Sequence, residues 1–220
     1  MKEYVKIQYI SQGTTAEEHL DNIKKVCDAG IKWVQLRLKN VDFETYLQTA
    51  IECKKICTAY GALCIINDNV SIAKQSNADG VHLGLNDMNP RDARAILGHR
   101  SIIGGTANTI QDCLLQVKNG VDYIGLGPYK FTKTKQQLSP ILGLSGYKEI
   151  VEAVSKINQQ IPVIAIGGIT AKDIRKLINV GVDGIAVSGL LSNNPDLKET
   201  VTQIRSIIKT TQHGYVTNSR

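Results

Sequence analysis

The sequence predicts one α/β domain, a closed (βα)8 TIM barrel, and three observations carry that expectation. Eight short β-branched runs alternate with helical patterns along nearly all of the 220 residues. Several runs are apolar on both faces, as parallel strands must be when helices cover them outside and side chains fill the space within. A weak repeat also recurs: Ala78-Asp79-Gly80-Val81-His82-Leu83-Gly84, Val121-Asp122-Tyr123-Ile124-Gly125-Leu126-Gly127 and Val182-Asp183-Gly184-Ile185-Ala186-Val187-Ser188. In each copy a helix end leads through a polar turn into an apolar strand that stops at a small residue. Eight βα units in this length favour a compact barrel. An open doubly wound sheet is the competing arrangement, because periodicity does not itself show closure.

Each element has its own signal. The first strand is expected over Tyr4–Ile10, and Thr15 with Glu18 spells a capping box for the next helix. That helix turns Leu20, Ile23 and Cys27 inward and stops at Gly30. The second strand is expected over Trp33–Leu38, followed by a helix capped by Asp42 that buries Phe43, Leu47, Ala50 and Cys57 and ends at Gly61. Strands three and four are expected over Leu63–Asn67 and Gly80–Leu83, and Asn89-Pro90 suits the cap and first position of a helix. Ser101–Gly104, Tyr123–Leu126 and Val163–Ile166 read as the next three strands. Thr170 with Asp173 opens a helix with Ile174, Leu177 and Ile178 inward and Gly181 behind it. Gly184–Val187 is the eighth strand, and a last helix from Leu197 to Lys209 presents Leu197, Val201, Ile204 and Ile208. Residues 1–209 therefore make the barrel domain, while residues 210–220 lack a period and are expected to form a disordered tail.

Composition narrows the function classes. Hydrophobic residues make up 42% and charged residues 21%, the balance of an ordinary soluble domain. No apolar run is long enough to span a bilayer, which argues against a membrane partner. Met1-Lys2-Glu3-Tyr4 lacks the apolar core and cleavage site of a signal peptide, so the cytoplasm is the expected compartment. The net charge of +6 is spread along the helices with only 5% aromatic residues, which argues against nucleic acid as a partner. The surplus suits anionic small substrates, or plain solubility. Cys27, Cys53, Cys57, Cys64 and Cys113 are an odd, scattered set. Cys53 and Cys57 share one helix face, as a metal pair would, but nothing follows at finger-like spacing, so buried free thiols are expected.

The chemistry of such a barrel sits at the C-terminal ends of its strands. The second strand ends Gln35-Leu36-Arg37-Leu38-Lys39, and alternation puts Gln35, Arg37 and Lys39 on one side, the lumen of a closed barrel. Two cations there call for an anion; a solvated edge strand is the bland alternative. Asn67-Asp68 ends the third strand and Asp87 follows the fourth. Two carboxylates at neighbouring strand ends suit Mg2+, which takes one or two carboxylates and completes its shell with water and phosphate oxygens, although an aspartate there often only caps a helix. The sixth strand runs into Gly127-Pro128-Tyr129-Lys130-Phe131-Thr132-Lys133-Thr134-Lys135, with hydroxyls and ammonium groups suited to a departing phosphate, or to a solvated loop. Gly167-Gly168 after the seventh strand and Ser188-Gly189 after the eighth let backbone amides approach a second phosphate. The residues alone thus describe an enzyme with two anion sites and one magnesium site, acting on two phosphorylated small molecules.

In order along residues 4 to 208, these motifs resemble the thiamine phosphate synthase family: Gln35-Leu36-Arg37-Leu38-Lys39, Ile66-Asn67-Asp68, Gly80-Val81-His82-Leu83-Gly84 with Asp87, Gly125-Leu126-Gly127-Pro128 with Thr132-Lys133-Thr134-Lys135, and Ala165-Ile166-Gly167-Gly168-Ile169. The resemblance implies a transferase of thiamine biosynthesis. It would join a hydroxymethylpyrimidine diphosphate to a thiazole phosphate and release pyrophosphate after dissociative C–O cleavage. It implies that Gln35, Arg37, Lys39 and Asn67 hold the pyrimidine diphosphate. By the same likeness Asp68 and Asp87 bind Mg2+, Lys135 contacts the leaving pyrophosphate, and Thr132, Thr134, Gly168, Ser188 and Gly189 receive the thiazole phosphate. Lys135, Arg37 and Asp68 are the expected catalytic residues. Thr106 stands where the family usually has serine and keeps the hydroxyl, so it joins the expected substrate contacts. Leu85 replaces a common glutamine, and Ser188-Gly189 replaces an aliphatic-serine pair. The family likeness also implies a homodimer. The alternatives are a thiazole tautomerase-like isomerase or another phosphate-binding barrel, in which His82 would serve as a base, although its place within an apolar strand makes a satisfied core histidine the expected reading.

Overall fold

Residues 6–132, 139–158, 160–192 and 194–217 are described by the structure, a computed structural model, with side chains as far as Thr211. Its strands are β1 (Ile7–Ile10), β2 (Trp33–Leu36), β3 (Leu63–Asn67), β4 (Gly80–Leu83), β5 (Ile102–Ala107), β6 (Tyr123–Leu126), β7 (Val163–Ile166) and β8 (Gly184–Val187). They pair in parallel, in sequence order, and β8 pairs with β1 to close the barrel. The open-sheet alternative falls. Between the strands lie α1 (Ala16–Asp28), α2 (Phe43–Ala59), α3 (Val70–Gln75), α4 (Pro90–Leu97), α5 (Ile110–Lys118), α6 (Gly143–Ile157) and α7 (Ala171–Asn179), with α8 (Gly189–Ser192) and α9 (Leu197–Thr217) after β8. Among the described residues no helix is long and apolar enough to cross a membrane.

Period-two alternation sorts the strand residues into two cores. Ile10, Trp33, Ile65, Tyr123, Ile164 and Ala186 fill the lumen, while Tyr9, Val34, Leu36, Cys64, Ile66 and Val81 face the helices. Room in the lumen is made by glycine: a Cβ on Gly104 would stand 2.5 Å from His82 Nδ1, and one on Gly125 would stand 2.9 Å from His82 Cε1. Only glycine on β5 and β6 lets β4 carry a histidine there.

The sequence repeat has a structural cause. Asp79 accepts from Cys64 N at 2.7 Å, Asp122 from Ile103 N at 2.7 Å and Asp183 from Val163 N at 2.8 Å. Each aspartate enters one strand while satisfying the first amides of the strand before it, which would otherwise lack a partner. Lys54 and Arg94 bridge to Asp79 and Asp122.

Several element expectations shift. β2 stops at Leu36, short of Leu38, and β5 extends to Ala107, beyond Gly104. Thr15 caps α1, but Glu18 turns its carboxylate to Thr14 and leaves that capping box half-formed. Asp42 caps α2 as expected, yet Phe43 lies 46% exposed, because the first position of the helix faces out. The α7 capping box of Thr170 and Asp173 forms fully. α9 continues to Thr217, past Lys209, and Val201, Ile204, Ile208 and Thr211 are buried on it. All five cysteines are buried and free.

Candidate active site

A cavity of about 660 Å³ opens at the C-terminal ends of the strands. Its lining includes Gln35, Arg37, Lys39, Asn67, Asp68, Asp87, Thr106, Thr132, Gly168, Ser188 and Gly189. Every expected site residue among the described residues therefore faces one space; Thr134 and Lys135 lie outside the described residues.

The cationic wall is held from behind. The Arg37 amide donates to Ser11 Oγ at 2.9 Å, and that hydroxyl shares a hydrogen bond of 2.7 Å with His19 Nδ1. Burial lowers the His19 pKa, and the Arg37 charge lowers it further, so the neutral ring is favoured beside the guanidinium. The Tyr46 hydroxyl reaches Leu36 O and Asn67 O, each at 3.0 Å, and ties the ends of β2 and β3 together. Tyr147 does the same for β6 and β7, bonding Leu126 O and Ile166 O.

The two carboxylates are not helix caps. Asn69 caps α3 and Asn89 caps α4, which leaves Asp68 and Asp87 to the cavity. Asp68 has φ +65°, a left-handed conformation rare outside glycine and asparagine, and its amide donates to His82 O at 2.8 Å. Its carboxylate pairs with Lys39. Asp87 accepts from Gly84 N at 2.6 Å, but burial raises its pKa, and a hydrogen bond to Asp68 raises it further. Two carboxylates facing one cavity form an oxygen donor set suited to a hard divalent cation. The oxygen-only chemistry fits Mg2+.

Below them runs a polar chain whose Gln8 and Tyr123 members sequence reasoning missed. Gln35 Nε2 donates to Gln8 Oε1 at 3.2 Å, and Gln8 Nε2 donates to the Tyr123 hydroxyl at 3.2 Å. That hydroxyl shares a hydrogen bond of 3.0 Å with His82 Nδ1. His82 Nε2 shares another of 3.0 Å with Thr106 Oγ1. His82 is thus a satisfied core histidine that also lines the cavity. Its inward register on β4, two residues from Gly80, was the available signal. Asn108 and Ser139 also line the cavity, joined at 2.8 Å, and were not foreseen.

Across the mouth, Gly167 and Gly168 have φ +93° and +66°. A Cβ on Gly168 would come 2.6 Å from Phe131 O, so this turn and the β6 loop meet backbone to backbone. Lys130 leaves the mouth to pair with Asp173 at 2.6 Å, which removes one of the three ammonium groups expected there. Ser188 Oγ donates to Gln12 Oε1 at 3.1 Å.

Comparison with known proteins agrees with this geometry. A family model described as thiamine monophosphate synthase matches residues 8–191. The thiamine-phosphate synthase of Flavobacterium johnsoniae is 52% identical over 201 residues, covering 91% of this chain and 95% of its own length. That of Flavobacterium psychrophilum is 48% identical over 201 residues, with coverage of 91% and 98%. A solved thiamine phosphate pyrophosphorylase from Pyrococcus furiosus superimposes with a TM-score of 0.80 at 28% identity, covering 95% of this chain and 98% of that one. A 3-hexulose-6-phosphate synthase, with a TM-score of 0.69 and 15% identity over 92% of this chain and 99% of its own, shares the fold alone. Since the family model matches well over half of the chain and the relatives match it at up to 52% identity, the chain belongs to the thiamine monophosphate synthase family.

Proposed function

We propose that the chain is a thiamine-phosphate synthase, a transferase that joins 4-amino-2-methyl-5-(diphosphooxymethyl)pyrimidine to a thiazole phosphate and releases pyrophosphate. One observation carries this reading: Arg37, Lys39, Asp68 and Asp87 line the same cavity as Gly168, Ser188 and Gly189. An isomerase of a single phosphate would have no use for the first group.

Gln35 and Asn67, held by the Gln8 chain and the Tyr46 tie, orient the pyrimidine. The hydroxyl of Thr106 offers it a donor. Arg37 and Lys39 meet the diphosphate oxygens, and Lys135 follows the charge as it departs. Asp68 and Asp87 would hold Mg2+, which would supply positive charge to offset that of the diphosphate. Thr132, Thr134, Gly168, Ser188 and Gly189 seat the thiazole phosphate. The reaction needs leaving-group stabilisation and a positioned nucleophile more than a strong base, and no catalytic triad faces the cavity among the described residues. Residues 1–209 act as the catalytic domain, and family likeness supports a cytoplasmic homodimer.

Purified protein given both substrates and Mg2+ should form thiamine phosphate and pyrophosphate in equal amounts, and a chelator should stop both. If both substrates are consumed by control enzyme but yield no thiamine phosphate here, the reading fails.

A further inference from the structure

Far from the cavity, the layer between α1, α2 and β3 holds four thiols. Cys53 and Cys57 lie one turn apart on α2, Cys64 faces them from the outer side of β3, and Cys27 comes from the last turn of α1. None is more than 1% exposed. The Sγ atoms of Cys53, Cys57 and Cys64 all lie within 4.8 Å of one another, and Cys53 and Cys64 approach to 3.6 Å. The neighbouring Cys57 thiol, then burial, pushes the Cys27 thiol up. The spacing of Cys53 and Cys57 suggested a metal pair and lacked a third ligand in sequence; the fold supplies that ligand from the next strand.

We propose that Cys53, Cys57 and Cys64 form a binding site for one thiophilic divalent cation of the Zn2+ class, distinct from the carboxylate pair at the barrel mouth. Metal–sulfur bonds of about 2.3 Å in a trigonal arrangement set the sulfurs about 4 Å apart, so the cluster need close by less than about 1 Å. Thiolate donors favour soft cations and reject Mg2+, which keeps the two sites chemically separate. The reaction is balanced without an oxidant: three thiols and one divalent cation give a tris-thiolate complex of charge −1 and three protons released to water. A monovalent soft ion would leave charge −2 in an apolar layer, which burial disfavours. A disulfide between Cys53 and Cys64 would use the short approach but give Cys57 no part.

The test uses the full chain, reduced and stripped of metal. Titration with Co2+ should raise a sulfur-to-metal charge-transfer band that saturates at one equivalent. Zn2+ should then abolish the band and raise the melting temperature. Cys53→Ala and Cys64→Ala should lose the band, whereas Cys113→Ala, altered on α5 outside the cluster, and Asp68→Asn should keep it. In unmutated protein, Zn2+ should slow alkylation of Cys53, Cys57 and Cys64 far more than that of the equally buried Cys113. This arm holds even if an alanine variant fails to fold. Absence of the band in folded protein, its survival in both cluster variants, equal alkylation rates with and without Zn2+, or a Cys53–Cys64 disulfide forming in place of the complex would each overturn the proposal.

Discussion

Asp68 carries two demands at once, a left-handed backbone and a carboxylate aimed at Lys39. Alanine there would remove the charge and strain the backbone together, whereas asparagine tolerates φ > 0 and removes only the charge. Asp68→Asn should therefore lower kcat roughly a hundred- to a thousandfold. Its urea midpoint should move little, within about 0.5 kcal/mol of stability. Paired kinetics and denaturation decide the matter, and a variant equally impaired in both would mark Asp68 as structural. His19 makes a different prediction. Burial, then the Arg37 charge, lowers its pKa, so the fold prefers the neutral ring. Its stability contribution is present above the unfolded imidazole pKa and is lost as pH falls through that value, because the unfolded chain then takes up a proton that the folded chain refuses. Between about pH 7.5 and about pH 5.5, spanning the ordinary imidazole range, the wild type should lose more of its urea midpoint than His19→Asn. Equal losses would show that His19 does not titrate as described.

At the level of the element, the aspartates of the repeat join each strand to the one before it. Asp122→Ala would strip the partner from Ile103 N and release Arg94. It should cost about 1 to 2 kcal/mol by chemical denaturation, the penalty of a partly buried amide left unmade. Catalytic constants at saturating substrate should hold, since Asp122 lies at the opposite end of the strands from the cavity. The three aspartates were visible in sequence as a repeated letter, but their partners Cys64, Ile103 and Val163 were not, because those bonds cross between strands far apart in the chain. Helix ends were legible where one turn of backbone decides them, as at Thr170 with Asp173. They were misjudged where a neighbour competes, as when Thr14 takes the Glu18 carboxylate.

For the whole molecule, the barrel gathers Arg37 and Lys39 at one mouth, where two neighbouring cations favour a bound anion. Pyrophosphate with Mg2+ should therefore raise the melting temperature, with a stabilisation of about 2.7 kcal/mol at a hundred times its Kd. Thermal shift should show the effect abolished by chelator and strongly reduced in Asp68→Asn. The same gathering separates what sequence and tertiary structure each decide. Alternation and β-branching are local properties of the chain, so the eight strands, their inward and outward faces and the polar residues at their ends could be read from sequence. Closure is a pairing of β8 with β1 across the full chain, and no local period encodes it. The Gln8–Tyr123–His82–Thr106 chain depends on four strands meeting in one lumen. The thiol cluster depends on β3 returning beneath α2. Side chains distant in sequence acquire a shared hydrogen bond, charge or ligand only when the backbone between them has folded, and that is why these sites were decided by tertiary structure alone.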